Sequence, residues 1–265
     1  MSYAALYRWH DGTLVPIDYC DPSEYAIEVA DSWLVSEGAA FALGLHKARF
    51  AHGAALRGFT DLNVEPFWEA VIATIPREGD WFPRVELQSR DGAPSFLFRQ
   101  RAAPELTRSL TVATHTGGDP RVAPTVKGPD LAAMIQLRSL AQERGADEAI
   151  LAPRGYVVEG GTTSIAWWRG DILCSPPEEF DRVDSVTART LFGIAAALGV
   201  ETYREAVTPA ELEGAEVWAL NALHGIRIVT GWIDGPRLAE DPGRLALWRS
   251  RRQALRRPLE GHRGE

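Results

Sequence analysis

A desolvated lysine can lose its proton and act as a nucleophilic amine, which an arginine cannot do. The chain carries 28 basic residues, and only Lys47 and Lys127 among them are lysines. Lys47, in "LHKARF", lies among polar residues on what reads as a solvated helix face. Lys127, in "VAPTVKGPDLAAMI", lies among apolar and turn residues. It is the candidate for chemistry, with a loop lysine capping a neighbour as the other reading. The second candidate is Glu159, in "GYVVEGGTTSIAWW", where "YVV" and "SIAWW" read as β-segments around the turn-prone "EGGTTS". A carboxylate near a core costs free energy unless it has a partner. That partner is either an arginine or a group this chain does not itself supply.

Lys127 and Glu159 can be considered with the helix start at Val186-Thr187 and the "LNAL" segment. A desolvated lysine condenses with an aldehyde. If the aldehyde stands on a pyridine ring, a carboxylate facing the ring nitrogen keeps that nitrogen protonated and deepens the electron sink. A helix N-terminus offers backbone N–H groups and a positive dipole end to a phosphate, and one arginine from elsewhere completes the charge balance. Those are the needs of pyridoxal phosphate. Each part also has a structural reading: Glu159 as an ion-pair partner, Thr187 as a helix cap.

The elements that must position these residues fall into two halves. Residues 1–118 read as a smaller α/β domain. It has a hairpin around Asp11-Gly12, a strand "YAIEVADSWLV" leading to a turn at Glu37-Gly38, a helix over 45–56, and a hairpin around Asp91-Gly92. The Gly- and Pro-rich "THTGGDPRVAPTVKGPD" reads as the interdomain connection. Residues 119–265 read as the larger α/β domain, carrying Lys127, with the cofactor expected in the cleft between the two. There, Gly128-Pro129-Asp130 opens a helix that Gly145 closes. Two hairpins follow, "DEAILAPRGYVVEG" and "SIAWWRGDILCSP". Then come a helix with Ser185 or Thr187 at its N-cap and Gly199 at its end, a capping box of Thr208 with Glu211, and a strand–loop–strand through "EVWALNAL" and "GIRIVTGWIDG". The tail "LALWRSRRQALRRPLEGHRGE" reads as a basic helix with a solvated arginine face, fraying into disorder.

The run from Lys127 to about Ile228 resembles the class IV aminotransferases, the fold-type IV pyridoxal phosphate enzymes. That family includes branched-chain and D-amino-acid aminotransferases and aminodeoxychorismate lyases. The resemblance rests on Lys127, "RGADEAIL", "VEGGTTSI", "SVTART" and "ALNALHGIR" in order, with "LGLHKARF" upstream similar to an "HxxRL" segment. It implies a two-domain α+β or α/β fold of the D-amino-acid aminotransferase type, and a homodimer. It also implies roles: Lys127 bonds the cofactor and shuttles the substrate Cα proton, and Glu159 pairs with the pyridine nitrogen. Arg49, the backbone of Val186 and Thr187, and the Asn221-Ala222 loop hold the phosphate. Two departures fall on the substrate side. The family's "YGDGxFE" loop is replaced by "DYCDPSEYAIEVADSWLV", and Ser164 stands where an asparagine usually ends the glutamate turn.

The expected activity is transfer of an amino group between an amino acid and a 2-oxo acid. The alternative is an aminodeoxychorismate lyase-like enzyme releasing pyruvate and 4-aminobenzoate, supported by the short chain and the "NAL" loop. A non-catalytic scaffold of the same fold ranks third, because a scaffold has no need of a nucleophile. Arg99, Arg101 and Arg227 are candidates for a substrate carboxylate, each with an ordinary surface arginine as the alternative. Trp33 is a candidate pocket wall or else a core residue. A net charge of −8 gives no general attraction to nucleic acid or anionic membrane. No apolar run has membrane-span length. Cys20 and Cys174 lack metal-ligand spacing, so no metal and a reducing cytoplasm are expected.

Overall fold

The computed structural model describes residues 5–18 and 25–260. They divide into two compact units: Met1–Glu105 with Val126–Pro129 and Leu255–Glu265, and Leu106–Thr125 with Asp130–Ala254. The chain therefore passes between units at four points, where the sequence suggested one boundary after residue 118. Lys127 belongs to the first unit.

In the first unit, β1 (Ala5–His10), β2 (Thr13–Pro16), β3 (Ala26–Ser32), β7 (Arg84–Arg90) and β8 (Ala93–Gln100) form an antiparallel sheet in the order β2-β1-β8-β7-β3. Its β1–β2 and β7–β8 hairpins turn at Asp11-Gly12 and Asp91-Gly92. Both residues of each pair have positive φ, as the tight hairpin turn requires. A smaller sheet contains β4 (Val35–Ser36), β5 (Ala39–Ala40) and β6 (Asp80–Trp81). Helices α1 (Leu43–Leu56) and α2 (Glu65–Thr74) complete the unit. The sequence reading passed over α2, although Glu65 and Pro66 open it and Phe67, Trp68 and Val71 form its buried face. Those rings build an aromatic core: Trp33 stacks on Trp68 and Phe67 on Phe96, each with centroids 4.8 Å apart.

The second unit holds one eight-stranded sheet. Its strands are β9 (Ser109–Thr114), β10 (Glu148–Leu151), β11 (Glu159–Gly160), β12 (Ser164–Arg169), β13 (Ile172–Ser175), β14 (Thr202–Arg204), β15 (Glu216–Asn221) and β16 (Gly225–Ile233), in the order β11-β10-β9-β16-β15-β12-β13-β14. Both faces are buried along its central strands. Along β12, Ile165 and Trp167 join a core with Val112, Ile150 and Val217, while Ala166 and Trp168 point the other way. There they meet α4 (Val186–Ala197) and α5 (Arg244–Gln253) through Leu191, Ala195, Leu245 and Trp248. Helix α3 (Leu131–Glu143) covers Ala113, Ala149 and Leu151 with Met134, Leu137 and Ala141.

Two expectations need correction. "YVV" is not a strand, and only its two valines are buried: Val157 N–H bonds Val207 O and Val158 N–H bonds Leu151 O, and only Glu159–Gly160 pairs with β10. The basic tail does not fray directly after α5. Arg257–Pro258 form β17, which pairs antiparallel with β5 in the first unit, and Arg252 on α5 is buried. Among the described residues no helix is long and apolar enough to cross a membrane. None of their His, Cys, Asp and Glu side chains cluster in threes as a metal site. Cys174 is buried, and burial pushes its thiol up to about 11. Cys20 and the rest of Tyr19–Glu24, within the segment replacing the family's N-terminal loop, lie outside the described residues.

Candidate functional site

Lys127 enters the first unit on a four-residue segment, and its backbone is fixed there. Its carbonyl accepts a hydrogen bond of 2.7 Å from Ala30 N–H of β3. The next residue, Gly128, has φ +142, and a Cβ on it would lie 2.6 Å from Ala30 N and 2.8 Å from Val29 Cα. Only glycine permits that approach. Gly128→Ala is expected to lower stability by on the order of 1–3 kcal/mol from the φ alone, with the backbone clash adding to it. A thermal midpoint equal to that of the parent protein would contradict this approach of the lysine segment to β3.

Beside Lys127 lies a buried charged cluster that the sequence reading did not foresee. Arg49 of α1 makes a two-point contact with Asp31 of β3, Nε to Oδ2 at 2.8 Å and Nη2 to Oδ1 at 2.7 Å. His46 Nδ1 lies 2.8 Å from Asp31 Oδ1, and an acceptor-only carboxylate makes that nitrogen the donor. Asp31 is fully buried. Burial alone would raise its carboxyl, but Arg49 and His46 outweigh that and hold it well below the carboxylate range. The His46 imidazole is lowered, chiefly by burial and also by the charges of Arg49 and Lys127. The charges of both Lys127 and Arg49 thus act on one histidine. The missed signal was Asp31 in the largely apolar run "VADSWLV", similar to the pattern that singled out Glu159. Lys47 is ion-paired with Glu65 at 2.6 Å.

In the second unit Glu159 is buried and does meet an arginine, Arg121, whose Nη1 donates to Oε1 at 2.6 Å. Nearby, Thr163 Oγ1 is buried with no hydrogen-bond partner among the described residues, and a Cβ on Gly160 would lie 2.3 Å from it. Helix α4 is capped by Ser185, whose side chain accepts from Ala188 N at 3.2 Å. Thr187 is therefore not the cap. Val186 and Thr187 are buried in the first turn, where N–H groups have no partner within the helix. Asn221 ends β15, and its side chain accepts from His224 N–H at 2.8 Å across the turn containing Ala222.

The substrate candidates differ in how far they are already engaged. Arg99 donates to the buried Glu86 at 2.7 Å. Glu86 also takes Arg84, and those two arginines hold its carboxyl low against burial. Arg101 forms no ion pair among the described residues. It lies over the Phe82 ring and bonds Phe82 O at 3.2 Å; burial, then the Arg84 and Arg99 charges, pull its guanidinium down to about 10. Arg227 is buried, bonds Thr107 Oγ1 at 3.3 Å and leaves Nε without a partner. Trp33 is a core residue, 1% exposed and stacked on Trp68.

Each unit carries donors of the kind pyridoxal phosphate needs: in the first, the Lys127 amine and the Arg49 guanidinium; in the second, the buried Glu159 carboxylate and the N-terminal turn of α4. The profile of the family "Amino-transferase class IV" matches residues 28–232, more than half the chain. No curated protein sequence matches it. Among solved structures it resembles a fold IV-transaminase from Curtobacterium pusillum at 21% identity, with 95% of this chain and 97% of that one covered and a TM-score of 0.81. A PLP-bound hypothetical aminotransferase from Mycobacterium tuberculosis gives 19%, 96%, 98% and 0.82. The branched-chain aminotransferase of Thermoproteus uzoniensis with norvaline gives 21%, 97%, 100% and 0.81. At these identities the structural likeness speaks for the fold and the profile for the family. The chain belongs to the class IV aminotransferases and is a pyridoxal-phosphate-dependent enzyme of fold type IV.

Proposed function

We propose that this enzyme moves an amino group between an amino acid and a 2-oxo acid. When bound, pyridoxal phosphate supplies an aldehyde that condenses with amines and a ring that takes up the electron pair left when the substrate Cα–H bond breaks. The chain supplies the rest. Lys127 Nζ holds the cofactor and then carries the proton to and from Cα. Arg49, the N–H groups of Val186 and Thr187, and the Asn221-Ala222 loop bind the phosphate. Glu159 holds the proton on the ring nitrogen. Arg101 is the best candidate for the substrate carboxylate, because Arg99 is committed to Glu86 while Arg101 has no ion pair among the described residues.

One observation carries this reading. Of only two lysines, the one in an apolar setting is pinned by its backbone to β3, beside the His46–Asp31–Arg49 cluster. A lyase releasing pyruvate would employ the same residues and differ in product. The test is a panel of amino acids given to the loaded enzyme without an acceptor. One equivalent of 2-oxo acid per subunit from a preferred donor is the expected result. Pyruvate released catalytically from an aminodeoxychorismate, with no response to any amino donor, would overturn it.

A further inference from the structure

We infer that Arg121 is a positioning residue that presents the Glu159 carboxylate, ionised and in one orientation, to the pyridine nitrogen. This rests on the assignment of Glu159 to that nitrogen. Arg121 belongs to the connection between β9 and α3, a stretch without regular structure. Such a segment would ordinarily leave an arginine in water, yet this side chain is only 4% exposed. Its two ends hold different partners. Nε and Nη2 grip Asp119 at 2.8 and 2.6 Å, and Nη1 reaches Glu159 Oε1 at 2.6 Å and the Asp181 carbonyl at 2.9 Å.

The fork on Asp119 and the Asp181 carbonyl fix where Nη1 points, independently of Glu159. Glu159 is in turn fixed at its backbone by the pairing of Leu151 with it in the β10–β11 ladder. A carboxylate held at both ends is preorganised: no rotamer has to be frozen when a ring nitrogen arrives. The Arg121 cation also favours the charged form of Glu159, which burial on its own would disfavour. Arg182, a second cation in electrostatic reach of Glu159, has its N–H groups on the carbonyls of Pro176, Pro177 and Phe180. Arg121, by contrast, donates directly to the Glu159 carboxylate.

The test compares binding of pyridoxal phosphate with that of its 1-deaza analogue, in which carbon replaces the ring nitrogen. Both affinities are measured on apoenzyme by fluorescence quenching. The parent protein should prefer pyridoxal phosphate. Arg121→Met should reduce that preference by about tenfold, the scale of one charged hydrogen bond, with affinity for the analogue nearly unchanged. Arg121→Lys should restore part of it. An unchanged preference in Arg121→Met would overturn the inference, as would equal weakening of both ligands that lysine does not rescue. Glu159→Gln separates the two levels. If that variant keeps the parent's preference, the assignment of Glu159 fails; if it loses the preference while Arg121→Met keeps it, only the role of Arg121 fails.

Discussion

Lys127→Ala is expected to abolish turnover while leaving the fold intact. Loss of a positioned proton carrier alone costs roughly 10²- to 10⁴-fold in rate, and loss of the covalent anchor adds to that. The fold should survive because the segment is held by its backbone, through Lys127 O to Ala30 N and the close approach of Gly128, contacts that the substitution leaves in place. Two measurements read this together. Borohydride reduction of the loaded parent protein should fix the cofactor to the peptide containing Lys127, detected by mass, and the variant should show no such adduct. The thermal midpoint of the cofactor-free variant should match that of the parent. Retained turnover, or an adduct on Lys47, would remove Lys127 from its role.

The second large effect concerns stability. Asp31→Ala should destabilise the protein by about 3–5 kcal/mol, the usual cost of removing one partner from a buried ion pair. Arg49 would lose a two-point contact, and His46 and the Ser32 N–H would lose their shared acceptor. The pH dependence has a definite sign. The folded-state carboxyl of Asp31 is depressed, so its contribution is present above the ordinary aspartate value near ~4 and fades as the pH falls below it. His46 is depressed too. The unfolded chain therefore takes up its proton first, and stability begins to fall below about 6.5. Both groups weaken the folded state on acidification. Urea titrations should show the gap between the parent and Asp31→Asn narrowing below ~pH 4. A gap independent of pH would show that the carboxylate charge contributes nothing.

What was legible in the sequence was mostly local. The Asp11-Gly12 and Asp91-Gly92 turns, the Ser185 cap and the Thr208–Glu211 capping box each lie within a few residues, and each has its expected form. The lysine, its glycine and the "HxxR" arginine were legible as types in order. What connects them was not. The partner of Glu159 lies 38 residues upstream in a stretch with no periodicity, so the sequence could ask for an arginine without naming Arg121. Asp31 and Arg49 are 18 residues apart on a strand and a helix, and only their packing turns two ordinary charges into a buried pair. "YVV" has strand composition, yet its N–H groups are taken by Val207 and Leu151 outside a regular ladder. β17 is two residues long and carries no signal beyond its distant partner.

That distant partner matters for how the chain matures. Arg257 and Pro258 pair with Ala40 and Ala39, and Leu259 N–H bonds Gly38 O. Lys127 reaches the same unit by a separate excursion of four residues. On a ribosome, the first hundred residues emerge without either insertion, and their small sheet must wait for the closing strand. Joining ends so far apart in sequence carries a loop-closure cost that local hairpins avoid, so this seam should form late. An N-terminal fragment ending near residue 105 would lack both its edge strand and Lys127. Lys127 is thus delivered to a body that cannot be completed until the chain has been synthesised past Leu259.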